Sequence, residues 1–166
     1  MFLRSIPVLA LAAALAAGPA SPQTPAAVRA LLDTTKAITV FDHVTATSER
    51  GVITLSGKVT SQAKRDQIET EIATAPGVRQ VVNRVKVLPA SASDDALRHR
   101  VARAIYGHPL FRKYAAMSQP PIRVLVERGR VSLAGSVRSE VERLMARSLA
   151  EAEAPGAVEN ALAVTR

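Results

Sequence analysis

Neither cysteine nor tryptophan occurs in the chain, and aromatics make up only 3% of it. Without cysteine there are no disulfides, no thiolate metal sites and no cysteine nucleophile. The acylation site of a lipoprotein is also missing, so no lipid anchor is expected. With few rings, core packing must rest on Val, Leu, Ile and Ala. The three histidines, His43, His99 and His108, fall in no two-histidine metal spacing, and no H-E-x-x-H occurs. His43 beside Asp42 reads as a solvated turn, so no metal and no cofactor are expected. No G-x-S-x-G element supports a serine nucleophile. Gly51 to Lys58 resembles a phosphate loop only superficially. Five residues precede Gly57-Lys58 instead of four, Val59 stands in place of Ser/Thr, and the stretch alternates as a strand. A G-x-x-G loop of the kind that clamps RNA is missing too. Catalysis therefore has no supporting constellation, and the chain reads as non-enzymatic.

Nearly half of the residues are apolar, at 48%, so a packed core is within reach and wholesale disorder is not expected. The 166 residues allow one ordinary domain or two small ones. Residues 1–20 read as a secretory signal peptide: Arg4 supplies the positive region, Ile6 to Ala17 the apolar run, and Gly18 with Ala20 a small-residue cleavage site. The apolar run is shorter than the roughly 18 residues a membrane span needs. A cleaved signal is thus preferred to a transmembrane helix, and no span is expected in the mature chain. Export implies the bacterial periplasm or the cell exterior. Without the first twenty residues the balance is 21 basic to 14 acidic, a charge of +7. That charge favours anionic partners, and export argues against nucleic acid, so none is expected; solubility alone would also account for the charge.

An internal repeat is the strongest signal. Glu49-Arg50-Gly51-Val52-Ile53-Thr54-Leu55-Ser56-Gly57-Lys58-Val59 aligns without a gap on Glu127-Arg128-Gly129-Arg130-Val131-Ser132-Leu133-Ala134-Gly135-Ser136-Val137. Ser61 and Arg65 return as Ser139 and Arg143, Pro76-Gly77 as Pro155-Gly156, and Asn83 to Val87 as Asn160 to Val164. Each copy reads as helix, strand, strand, helix, strand. The first helix of copy 1 is expected over about Pro25 to Lys36. That of copy 2 carries Leu97, Val101, Ala104 and Ile105 at helical spacing, with Ser93 or Asp94 as N-cap. Gly51 and Gly129 sit where a tight hairpin needs positive φ. Gly57 and Gly135 fall within the second strand, which implies a bulge or close helix packing. Gly77 and Gly156 close the second helix. Ser139 and Glu142 form a capping box, and Val141, Leu144, Met145 and Leu149 are expected to line the buried stripe of that helix. The fold class is therefore α+β: two tandem αββαβ modules, each with two helices on one face of a three-stranded mixed sheet. The expected division is 25–88 for module 1, 89–93 for a linker and 94–166 for module 2.

The pattern G-x-V-x-L-x-G-x-V, a helix, then G-V-x-x-V-x-N-x-L-x-V resembles the BON domain. Copy 1 carries it as Gly51, Ile53, Leu55, Gly57, Val59, Gly77, Val78, Val81, Asn83, Val85 and Val87. Copy 2 carries it as Gly129, Val131, Leu133, Gly135, Val137, Gly156, Val158, Asn160, Leu162 and Val164. Copy 2 departs at the turn, where Gly156-Ala157-Val158 is two residues shorter than Gly77 to Val81. The resemblance implies an envelope protein similar to the osmotically inducible periplasmic proteins, with binding of anionic phospholipid, support of envelope integrity or stress protection, and no catalytic centre. The candidate lipid-binding surface is the first helix of copy 2 and the loop beyond it. With Leu97, Val101 and Ile105 inward, His99, Arg103 and Tyr106 point outward, flanked by Arg98 and Arg100. Phe111, Arg112, Lys113 and Tyr114 follow. Cations beside amphipathic rings suit an anionic membrane interface. Two readings compete with it: rings packed in the core beneath a merely solvated basic face, and an envelope adaptor that binds protein and no lipid.

Overall fold

The computed structural model describes residues 25–165, so the signal segment read at 1–20 lies outside the described residues. Module 1 runs α1 (Ala26–Thr34), β1 (His43–Glu49), β2 (Val52–Val59), α2 (Gln62–Ala73) and β3 (Gln80–Val87). Module 2 runs α3 (Ala92–Gly107), a 3₁₀ turn (Pro109–Phe111), α4 (Arg112–Ala115), β4 (Ile122–Glu127), β5 (Arg130–Val137) and α5 (Glu140–Glu153). It ends in a strand split into β6 (Val158–Asn160) and β7 (Ala163–Val164). The expected α+β class holds, with α4 an addition between the first helix and the hairpin of module 2.

Both sheets are mixed. β1 and β4 lie antiparallel to β2 and β5, and the last strand returns parallel to the central one. A parallel return needs a crossover, which α2 and α5 supply. Alternation then sorts the side chains. Ile53, Leu55 and Val59 meet Val28, Ile68 and Ile72 in one core. Val124, Leu133 and Val137 meet Val101, Ile105, Phe111, Ala146 and Ala150 in the other. Each fully buried Val, Leu, Ile or Phe side chain among these contributes about 1.5–3 kcal/mol.

The hairpins are two-residue turns, since Glu49 pairs with Val52 and Glu127 with Arg130. Both central residues have positive φ: 50° at Arg50 and 81° at Gly51, then 53° at Arg128 and 75° at Gly129. This is the type I′ turn that matches strand twist, and it places an arginine, not only the glycine, in the left-handed region. Gly57 and Gly135 have φ of 128° and 101°. A Cβ there would lie 2.0 Å from the His43 carbonyl oxygen and 1.9 Å from that of Pro121. The close approach comes from backbone at the start of the neighbouring strand, not from a helix.

One expectation about α5 is corrected, and the last strand begins where it is expected, at Val158. Val141 and Leu144 are 65% and 54% exposed. The buried stripe is Glu142, Ala146 and Ala150, with Met145 and Leu149 half-buried. Small alanines let the helix sit close on the sheet, and that turns the branched residues outward. The shorter turn after Gly156 is partly offset by a helix of 14 residues where α2 has 12. As a result Val158 pairs with Val131 as Val81 pairs with Ile53. The repeated asparagines fasten this strand to its helix. Asn83 donates to the Arg65 carbonyl at 3.3 Å, and Asn160 to that of Arg143 at 2.9 Å. Their Oδ1 atoms accept from Val85 and Leu162 amides.

Each module also has a buried carboxylate where its central strand turns into its second helix. In module 1, Asp42 accepts from the Thr60 amide at 2.7 Å, the Thr39 amide at 2.9 Å and both threonine hydroxyls, and it pairs with Lys64 at 2.5 Å. In module 2, Glu142 accepts from the Arg138 amide at 2.8 Å and the Tyr114 hydroxyl at 2.6 Å, and it pairs with Lys113 at 2.5 Å. Thr60 and Arg138 are equivalent in the repeat, as are Lys64 and Glu142. The same amide is capped in both, but the helix supplies the cation in one module and the anion in the other. Only half of the expected capping box forms: Ser139 accepts from the Glu142 amide, while the Glu142 carboxylate reaches past Ser139 to the Arg138 amide. Burial pushes both carboxyls up, but the donors around them outweigh it and leave both below the ordinary range.

The modules touch along one edge. Segment 39–41 lies beside β4, where the Val124 amide donates to the Val40 carbonyl at 2.7 Å and Arg123 to that of Thr39 at 3.0 Å. The Phe41 ring meets His99 edge-on at 4.8 Å. Between the modules, Ser91 caps α3 by accepting from the Asp94 amide. The helix thus begins at Ala92, within the stretch read as a linker. Asp94, read as a candidate cap, instead accepts from the Arg128 and Gly129 amides and closes the hairpin turn.

Gly135→Ala is expected to destabilise by more than about 2 kcal/mol, because backbone must move to admit the methyl group. Arg128→Asn should raise the melting temperature by a few degrees, since Asn tolerates the left-handed region. Thermal melts of both variants check this pair. Asp42→Asn should cost about 2–3 kcal/mol at neutral pH by leaving the partly buried Lys64 without its carboxylate, and Glu142→Gln about 1–2 kcal/mol by weakening the acceptor of the Arg138 amide and the Tyr114 hydroxyl. Because both folded pKa values lie below their unfolded ones, this stabilisation is fully present above about pH 4 and is lost as pH falls through the folded values. Urea melts across pH 2 to 7 should therefore show a shallower acid slope in each variant than in the parent.

Candidate functional site

The basic arm of module 2 begins on α3, whose inward stripe is set by Leu97, Val101, Ala102 and Ile105. Arg98 lies within that stripe and is 3% exposed. Its guanidinium donates to the Val126 carbonyl at 2.7 Å and pairs with Asp95. The expectation that Arg98 faces a membrane is thus corrected. A buried carbonyl at the end of β4 needs a donor, and the long arginine stem can pack on the core while its head reaches that carbonyl.

The rings are corrected in the same way. Phe111 is fully buried and Tyr114 is 2% exposed. The 3₁₀ turn, with Pro109 at its start and His108 capping it through the Leu110 amide, folds Phe111 back onto the core. Phe111 stacks near Tyr114 with centroids 6.2 Å apart. The Tyr114 hydroxyl donates to Glu142, and burial together with that carboxylate pushes the phenol above its ordinary value. Tyr106 is half-buried, its hydroxyl donates to the Ile122 carbonyl, and burial raises its phenol as well. Among these rings only part of Tyr106 reaches the surface.

What stays exposed is a set of cations. Arg100, Arg103, Arg112 and Lys113 all face solvent. Arg100 pairs with Glu153 at 3.2 Å and Lys113 with Glu142 at 2.5 Å. Arg103 and Arg112 have no carboxylate partner among the described residues. Arg100, Arg103, Ala104 and Glu153 border a recess of about 290 Å³. Met117, just beyond α4, is 43% exposed. This surface offers cationic donors with a little apolar area, and it holds no nucleophile–base pair. Sequence reasoning missed the exposed Val141 and Leu144 on α5. Their one available signal was the pair of alanines, Ala146 and Ala150, at the spacing of the true interior stripe.

No helix among the described residues is long and apolar enough to cross a membrane. Two solved structures of CdsD, a structural protein of the type III secretion system of Chlamydia trachomatis, are similar to this chain. The first, its C-terminal domain, is 13% identical with a TM-score of 0.33, over 83% of this chain and 62% of that one. The second is 16% identical with a TM-score of 0.33, over 82% of this chain and 61% of that one. This chain therefore spans less than two thirds of the length of either structure. No curated protein matches it. The BON domain family matches twice, over residues 23–89 and 93–166. With both αββαβ modules accounted for in this way, the chain belongs to the BON domain family.

Proposed function

We propose that this chain is an exported envelope protein whose second module docks peripherally on anionic phospholipid and supports envelope integrity or stress protection. Membership of the BON domain family supports the coarser part of this reading, an envelope-associated and non-enzymatic protein. The observation that carries the finer part is the exposed cationic arm, in which Arg103 and Arg112 have no carboxylate partner among the described residues. A phosphate beside Arg100 and Arg103, and another beside Arg112, would supply the missing counter-charge.

The burial of Phe111 and Tyr114 sets the mode of contact. Docking rests on charge, with no aromatic ring inserted among the acyl chains. Each cation near an anionic surface contributes about 1 kcal/mol, and the two paired ones contribute less because their carboxylates come with them. Contact of this kind is weak and fades as salt shortens the screening length.

Co-sedimentation of the protein lacking residues 1–20 with neutral and with anionic vesicles, across a salt series, tests the reading. Binding is expected only to anionic vesicles and should be lost at high salt. Arg103→Glu with Arg112→Glu should weaken it at least about 30-fold without lowering the melting temperature. Equal binding to neutral vesicles, or indifference to the double variant, would refute this placement. If the double variant still captures a defined envelope protein while the parent ignores vesicles, the adaptor reading is correct instead.

A further inference from the structure

The helix-free faces of the two sheets meet at one corner, on the side of β5 away from α3 and α5. In module 1 the strand register sets His43, Lys58 and Lys86 side by side across β1, β2 and β3. In module 2 the open face carries Glu127 opposite Arg130, then Leu125, Ser132 and Glu159 in one row. Lys58 reaches across to Glu127 at 2.7 Å. Two recesses of about 480 and 430 Å³ adjoin this bridge and share Lys58, Leu125, Ser132 and Glu159 in their walls.

Charge in this groove does not balance. Lys58 and Lys86 are direct cross-strand neighbours, an arrangement of like charges that costs stability. Two carboxylates, Glu127 and Glu159, are set against four cations, Lys58, Lys86, Arg128 and Arg130. The Lys58 bond holds the Glu127 carboxyl below the ordinary glutamate range, with Arg128 and Lys86 adding to the effect. Arg128 and Arg130 line the same recess. Among the described residues, Lys86, Arg128 and Arg130 have no carboxylate within ion-pair distance. The other features of the groove are not those of a bare anion site. Glu159 lies 3.4 Å from the Ser132 hydroxyl, so acceptors stand close to the cations. The floor of Leu125 and Ala134 is small and apolar.

We infer that this groove binds an acidic sugar, a hexuronate unit. Its carboxylate lies against the Lys58, Arg128 and Arg130 corner. Its hydroxyls donate to Glu159 and accept from Ser132, and the C–H face of the ring rests on Leu125 and Ala134. A simple anion would leave the acceptors and the apolar floor unused. A neutral sugar would leave the cations uncompensated. The site lies on the opposite face of the second sheet from the α3–α4 arm, so it is independent of the lipid reading.

The test is a titration of the protein lacking residues 1–20, followed by amide chemical shifts, with D-glucuronate, D-glucose and acetate in separate arms. Glucuronate should bind in the millimolar range and shift the amides of Leu125, Ser132, Ala134 and Glu159. Glucose and acetate should each bind at least about tenfold more weakly. Arg130→Gln, which leaves the bridge between modules intact, should weaken glucuronate about tenfold. Lys58→Ala should weaken it further. Acetate binding as tightly as glucuronate would reduce the groove to an anion corner and overturn the proposal. Shifts confined to other surfaces, or an affinity unchanged in Arg130→Gln, would overturn it as well.

Discussion

One buried carboxylate at the turn from central strand to second helix fixes the geometry of each module. The turn exposes an amide that neither the strand ladder nor the helix can satisfy, at Thr60 in one module and Arg138 in the other. Leaving such a group unpaired inside a protein costs about 1–3 kcal/mol. The carboxylate that accepts from it must then be neutralised, and a lysine does so. In module 1 the acid comes from the segment before β1, so that segment is drawn inward and Thr39 joins the network. In module 2 the acid is on α5, so cation and hydroxyl must come from elsewhere, and the short helix α4 brings Lys113 and Tyr114 into place. The added helix and the reversed ion pair are two aspects of one solution.

That dependence explains why the rings of module 2 are not at the surface. Tyr114 must reach Glu142, Phe111 packs beside it, and the whole stretch from Pro109 to Tyr114 becomes a wall of the core. The cations of the same stretch are left outside because their charges are best solvated there. A surface that reads in sequence as alternating cation and ring is thus split by folding into an inner and an outer half. The outer half carries the proposed lipid contact.

The fold was largely legible in the sequence, because strand alternation, the paired hairpin glycines and the Pro-Gly turns recur at a nearly constant offset. Gly57 and Gly135 were visible as anomalies, but their cause, a carbonyl on the neighbouring strand, is a contact that no single-strand pattern displays. The candidate site was legible only in part. The charge of Arg98 suggests an outward position, although its angular position on α3 falls among the buried residues. On α5 the branched residues drew the interior stripe toward Val141 and Leu144, while alanine, weak as a hydrophobic signal, marks the true contact. The stretch from Ala37 to Phe41 has no periodicity, because it serves two partners: Ala37 and Ile38 pack into the core of module 1, while Val40 and Phe41 meet β4 and His99 of the other module.

The hydrogen bond from Val124 to Val40 has a consequence for how such a repeat can be divided. An uncovered outer strand is a template for pairing with other chains, and β4 is one of the two outer strands of module 2. Its cover is a loop belonging to module 1, secured there by the Asp42 network. The duplicated halves are therefore not interchangeable beads. The first shields the second from sticking to its neighbours, and cutting the chain between them would strip away that guard.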